Sequence, residues 1–149
     1  MKGKKSRVIL VIMGKYIHEH GQGYILLPEG KDEMNRVAEK IQNELKEGEE
    51  AIILSANSRV AEDSAKILHQ TFMDSFALSY DCFIDASDFS KACRLIKETA
   101  EKNDVIIIVC HPNFAGFVNY FINVRGEISS QSGATYLIDK ESRQVTILF

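Results

Sequence analysis

Two residues stand where chemistry is easiest to build, His111 and Arg59, each at the point where an apolar run stops. His111 follows Val105-Ile106-Ile107-Ile108-Val109-Cys110, a β-branched run with no polar alternation, and precedes Pro112-Asn113. Such a run reads as a strand covered on both faces, as in a parallel sheet between helices. Ligands of open α/β sheets bind at the carboxyl ends of strands of this kind. Pro112 holds His111 in an extended conformation there. Arg59 follows Ala51-Ile52-Ile53-Leu54 and the polar group Ser55-Ala56-Asn57-Ser58, where a helical pattern begins. A guanidinium fork and an imidazole are side chains able to bind an anion. Ser55, Asn57 and Asn113 lie at the same expected sheet edge, as pocket lining or as ordinary capping and turn residues.

The remaining candidates are weaker. His18-Glu19-His20 supplies two imidazoles and a carboxylate but no clear third metal ligand, and a solvated loop rim is the plainer reading. Cys82, Cys93 and Cys110 have no metal-ligand spacing and are odd in number, as expected of reduced thiols in a cytoplasmic protein. Cys110 adjoins His111, yet successive strand residues face opposite ways, so the thiol is expected to point away from the imidazole. Neither a metal nor a cofactor is implied.

The elements that would position these groups follow from hydrophobic periodicity. Val8 to Met13 reads as a central strand ending at Gly14, and the segment from Gly14 to Gly30 as a loop. Met34, Val37, Ala38, Ile41 and Leu45 form one helical face, stopped by Gly48. Ala51 to Leu54 is a second strand, and Ala61, Ala65, Leu68 and Phe72 mark a second helix. Ala77 to Ile84 leaves room for a short strand. Ser87 or Asp88 caps a third helix carrying Phe89, Ala92, Cys93, Ile96 and Ala100. After the Val105–Cys110 strand a helix runs to about Phe121, and the polar stretch from Val124 to Gly133 reads as a loop. Thr135–Ile138 and Gln144–Leu148 then form a hairpin. The expectation is one α/β domain over residues 1–149: three layers, a mainly parallel central sheet and an antiparallel C-terminal hairpin.

Composition sets outer bounds. A net charge of −3 supplies no basic field for nucleic acid. The basic opening Met1–Arg7 precedes an apolar run of six residues, Val8 to Met13, too short for a signal-peptide core or a membrane span. It is expected to be a solvated tail.

Laid out in order, the chain resembles the histidine phosphatase superfamily, the phosphoglycerate mutase-like proteins, especially its small phosphohistidine phosphatase-type members. The resemblance runs from Val8 to Phe149. Leu26-Leu27-Pro28-Glu29-Gly30 and the helix pattern after it resemble the family's Leu-Thr-x-x-Gly and first helix. Ser55-Ala56-Asn57-Ser58-Arg59-Val60 resembles Ser-Pro-x-x-Arg-Ala, with alanine for proline. Ser64-Ala65-Lys66-Ile67-Leu68 is similar to Thr-Ala-Glu-Ile-Leu with a one-residue offset, and Val109-Cys110-His111 to Val-Gly-His. Ser132-Gly133-Ala134-Thr135-Tyr136-Leu137 matches the small-residue turn into the last hairpin.

The resemblance implies a nucleophilic histidine that becomes a phosphohistidine, two arginines and a second histidine around the phosphoryl oxygens, and often a carboxylic acid proton donor. Here the first motif departs. Leu10-Val11-Ile12-Met13-Gly14 occupies the place of Leu-Val-Arg-His-Gly, so Met13 stands at the nucleophile and Ile12 at its arginine neighbour. Arg59 and His111 are the retained positions, and Asp81, Asp85 and Asp88 lie where the family sometimes keeps its acid. The expected protein is therefore a degenerate, catalytically inactive member. It would bind a phosphorylated or other anionic small molecule, or a protein partner, through a remnant pocket. Two rivals remain at this level: a phosphoesterase with an unorthodox nucleophile (His111, His18 or Cys110), and an unrelated flavodoxin-like or receiver-like α/β domain. Sheet order separates the last, because the phosphatase-like order sets the first strand beside Val105–Cys110 at the centre.

Overall fold

The computed structural model describes residues 7–72, 77–123 and 128–149. Six strands form the main sheet: β1 (Arg7–Ile12), β4 (Ala51–Ala56), β5 (Ala77–Tyr80), β6 (Val105–Cys110), β7 (Thr135–Asp139) and β8 (Gln144–Ile147). Their order is β5-β4-β6-β1-β7-β8. β1, β4, β5 and β6 run parallel, whereas β7 is antiparallel to β1 and to β8. The expected central pair is present, with Arg7 opposite Val105 and Ile12 opposite Cys110. A flavodoxin-like order would set the first strand beside the second. Here β6 lies between them.

Burial explains the uninterrupted apolar runs. All six residues of β6 have no measurable exposure, so helices cover both faces of this strand. Among the described residues four helices do the covering: α1 (Pro28–Glu44), α2 (Arg59–Thr71), α3 (Phe89–Ala100) and α4 (Phe117–Ile122). α1 packs on α2, α2 packs on β4 and β6, and α3 packs on β6 and α4. Among the described residues no helix is long and apolar enough to cross a membrane.

Two expectations need correction. First, the segment from Gly14 to Gly30 is not all loop. It contains a separate two-stranded hairpin, β2 (Tyr16–Glu19) and β3 (Gly23–Leu26). Gly21 and Gly23 take φ of 82° and 76°, and the N–H of Gln22 donates to the carbonyl of Glu19 at 3.0 Å. These glycines close the turn at a conformation other residues resist. The register pairs Tyr16 with Leu26 and His18 with Tyr24, placing these four side chains on one face. Second, α1 begins at Pro28, six residues before Met34. Proline at the first helical position loses no hydrogen bond. The buried face of that added turn is Gly30, which has no side chain to mark it as apolar in the sequence.

Gly14 and Gly30 explain each other. A Cβ on Gly30 would lie 2.3 Å from the Lys15 carbonyl oxygen, and one on Gly14 would lie 2.6 Å from the Gly30 carbonyl oxygen. The exit of β1 is thus pressed against the first turn of α1, backbone to backbone.

Met1–Ser6 of the expected tail and Val124–Glu127 of the expected polar loop lie outside the described residues, as do residues 73–76. The Ala77–Tyr80 strand and the C-terminal hairpin form as expected. Asp139 sets the turn of that hairpin, its carboxylate accepting from the N–H groups of Glu141 and Ser142 at 3.0 and 3.3 Å.

Candidate functional site

At the carboxyl ends of β1 and β6 lies a cavity of about 320 Å³ lined by Met13, Tyr16, Gln22, Tyr24, Ser58, Arg59, Val60 and His111. Three elements meet there. β1 and β6 deliver Met13 and His111 from adjacent strands, held in step by the Met13 N–H donating to the Cys110 carbonyl at 3.0 Å. The first turn of α2 supplies Arg59 and Val60, with Ser58 as its cap; the Ser58 hydroxyl accepts from the Ala61 N–H at 3.4 Å. This presents the positive end of the helix dipole to the cavity. The β2–β3 hairpin forms the third wall.

His111 is fixed from several sides. Its backbone is extended (φ −71°, ψ 148°) ahead of Pro112, and its N–H donates to the Phe83 carbonyl at 3.1 Å. Its Nδ1 accepts a long hydrogen bond of 3.5 Å from the Asn113 N–H, which leaves Nε2 to carry the proton in the neutral ring. Beneath it, Phe83 packs edge-on against Phe114 with ring centroids 5.6 Å apart, and Phe114 stacks on Phe117 at 4.8 Å. Burial lowers the His111 pKa below the ordinary imidazole value, and the Asp85 carboxylate opposes this. Burial thus favours the neutral form of the ring.

The sign of the pH effect follows. Because the folded pKa is depressed, the unfolded chain takes up its proton first, near pH 6.5. The His111 contribution to stability is thus complete above about pH 6.5 and falls as pH drops through the folded value. A bound anion favours imidazolium, so anion affinity should change the opposite way. We expect sulfate, whose charge is constant in this range, to bind more tightly at pH 5.5 than at pH 7.5, with the slope removed in His111→Gln. Calorimetric titration at both pH values reads this directly.

Arg59 is partly engaged. Its side chain is 58% exposed, its Nη1 donates to the Gln22 carbonyl at 3.4 Å, and its Nε lies 3.9 Å from the Asp63 carboxylate. These weak contacts orient the guanidinium over the hairpin turn. The backbone donors that follow β1 have protein partners. The Gly14 N–H donates to Ser64 Oγ at 3.1 Å, and the Lys15 N–H donates to Glu33 Oε1 at 2.8 Å. Glu33 also accepts from the Ser132 hydroxyl at 2.9 Å.

Of the residues singled out from sequence, Met13, Arg59 and His111 meet at this cavity. Ser55, Asn57 and Asn113 are not among its lining residues. Ser55 is buried in β4 with its hydroxyl 3.2 Å from that of Ser79. Asn57 donates from Nδ2 to the Asp81 carboxylate at 2.9 Å, and Asn113 contributes its backbone N–H to His111. Asp88 caps α3 through the Lys91 N–H, while Asp85 caps the short turn at Ser87. His18 packs its ring on Tyr24, centroids 5.0 Å apart. Among the described residues no group of three or more His, Cys, Asp or Glu could hold a metal. Cys110 is fully buried, outside the cavity lining, and desolvation pushes its thiol far above the ordinary range. A nucleophilic thiolate is not available there.

Tyr16, Gln22, Tyr24, Ser58 and Val60 were missed as lining. The signal for the tyrosines was present as alternation on either side of a Gly-Gln-Gly turn.

The fold and the cavity at its strand ends define a class. The chain has the histidine phosphatase, or phosphoglycerate mutase-like, fold. The tungstate complex of the protein histidine phosphatase SixA superposes with a TM-score of 0.77 at 16% identity, covering 95% of this chain and 93% of that one. A mycobacterial glucosyl-3-phosphoglycerate phosphatase complexed with VO3 gives 0.65 at 12% identity, covering 95% and 97%. The phosphoglycerate mutase of Plasmodium falciparum gives 0.62 at 17% identity, covering 95% and 89%. In sequence, no family model and no curated protein matches the chain.

Proposed function

We propose that this chain is a non-catalytic protein of the histidine phosphatase fold that binds a phosphorylated or other anionic ligand in the cavity between Met13, Arg59 and His111. The observation that carries the reading is Met13. It is the residue that the motif resemblance puts in the nucleophile's place, it lines the cavity, and it directly follows β1 as His111 directly follows the adjacent β6. Phosphoryl transfer through a phosphohistidine requires an unprotonated imidazole nitrogen at that point. A thioether offers only a weak acceptor lone pair. Loss of a nucleophile costs on the order of 10⁶ in turnover in hydrolases where it has been measured. Ile12, fully buried, supplies no guanidinium either. Binding is supported by what remains: one arginine, one imidazole and the positive end of α2 around a cavity open to ligand.

The test pairs binding with turnover. Tungstate and phosphate titrations should stabilise the wild-type chain in a thermal shift assay. Arg59→Ala should weaken oxyanion binding about ten- to hundredfold, the equivalent of one charge-assisted hydrogen bond. Phosphate release from p-nitrophenyl phosphate should stay at the level of the buffer blank. Turnover that persists in Met13→Ala and disappears in His111→Ala would instead establish an enzyme with a different nucleophile. No oxyanion binding at all would remove the anion reading and turn attention to a protein partner.

A further inference from the structure

We infer that the ligand of this cavity is an anion carried on an aromatic ring, such as an aryl phosphonate, phosphate or carboxylate, rather than an inorganic oxyanion. The inference rests on the anion-binding reading and specifies the chemistry of the ligand's other half. The cavity volume of about 320 Å³ lies within the range of small-molecule sites, about 300–1,000 Å³, and is far more than a tetrahedral oxyanion fills. The Arg59 guanidinium at the start of α2 and the His111 imidazole just after β6 line the same cavity, and Met13, Tyr16 and Tyr24 line it too.

Those two tyrosines have a defined geometry. They are diagonal neighbours on one face of the β2–β3 hairpin, with ring centroids 5.7 Å apart and planes at 78°. Tyr16 also approaches the His111 ring at 6.4 Å with a 46° tilt. A pair of rings at nearly right angles offers one face and one edge, the two arrangements by which a third aromatic ring packs best. The Met13 thioether adds a polarizable surface that aromatic rings favour. Tyr24 is 58% exposed and Tyr16 partly exposed, so both retain apolar surface for a ligand to cover. The hydrogen bond from Arg59 to the Gln22 carbonyl ties the hairpin turn to the cationic side. A ring held by the tyrosines would therefore have its anionic substituent directed towards Arg59.

The experiment compares phenylphosphonate with methylphosphonate, which share one anionic group and differ in the ring, by calorimetric titration of the full chain. The wild type should bind phenylphosphonate about tenfold more tightly. Tyr24→Ala should bring the ratio close to one, with phenylphosphonate losing more affinity than methylphosphonate. Tyr24→Phe should keep the preference, since the ring and not the hydroxyl carries it. Because Tyr24 is mostly exposed, neither change threatens the fold. Equal affinities in the wild type, or a preference that survives Tyr24→Ala, would overturn the aromatic inference while the anion site stands. Absence of binding by either phosphonate and by tungstate would overturn the anion-binding reading first, and this inference with it.

Discussion

Replacement of Phe114 by alanine is expected to cost the protein about 3–5 kcal/mol, the range for removing a fully buried phenylalanine. Phe114 has no exposed surface and its ring touches three others, Phe83, Phe89 and Phe117. Deleting it removes apolar contact and leaves a void that these neighbours, fixed on different elements, cannot all close. The effect should reach the site. Phe114 belongs to the turn Pro112–Phe114 directly after His111, and Phe83 both packs on Phe114 and accepts the His111 N–H. Thermal unfolding should show a fall on the order of 10 °C. Sulfate binding measured well below the new midpoint should weaken as well. A fall under 1 kcal/mol would mean that the aromatic cluster is not packed as described.

The second large effect concerns Gly30, where the sign opposes the usual rule. Glycine to alanine inside a helix ordinarily gains about 1 kcal/mol. Here the added methyl would meet the Lys15 backbone, with the carbonyl oxygen at 2.3 Å and the nitrogen at 2.7 Å, besides the Leu26 methyl at 2.7 Å. Backbone cannot rotate aside as a side chain can, so α1 and the β1 exit must separate. Overpacking of this kind costs about 1–3 kcal/mol. We expect Gly30→Ala to lower the chemical-denaturation midpoint without changing its slope. Gly48→Ala is a poor control, because φ there is 81°. Gly116 has open space and ordinary backbone, so Gly116→Ala should be near neutral. Separation at Gly30 also displaces Met13 and Gly14, whose N–H groups are fixed by Cys110 and Ser64. Oxyanion affinity should therefore fall in the same variant.

The retained glycines clarify why the resemblance was legible at all. In this chain Gly14 and Gly30 are required because the β1 exit meets the first turn of α1 backbone to backbone, whatever the side chains at the strand ends. Scaffold and chemistry are thus separable in this fold. The first is set by close backbone approach and two-sided burial, the second by a few side chains at strand ends.

Much of the architecture could be read from single residues and their spacing. The unbroken apolar runs of β1 and β6 demanded cover on both faces, and the helical stripes of α1 to α3 supplied it, because burial imposes its period directly on the sequence. His111 and Arg59 were legible as candidate site residues because each interrupts such a pattern at a strand or helix boundary. The first turn of α1 was not, since its buried position is a glycine, and the β2–β3 hairpin was obscured by four glycines and a proline between Gly14 and Gly30. What only the tertiary structure decided is the company these residues keep. Ser55 and Asn57 have the right position in sequence but spend their polar groups on Ser79 and Asp81. Tyr16 and Tyr24, unremarkable in sequence, become walls of the cavity because the hairpin folds back towards Arg59. Periodicity reports whether a residue is buried, whereas which groups meet across a cavity depends on contacts between distant segments that no local pattern encodes.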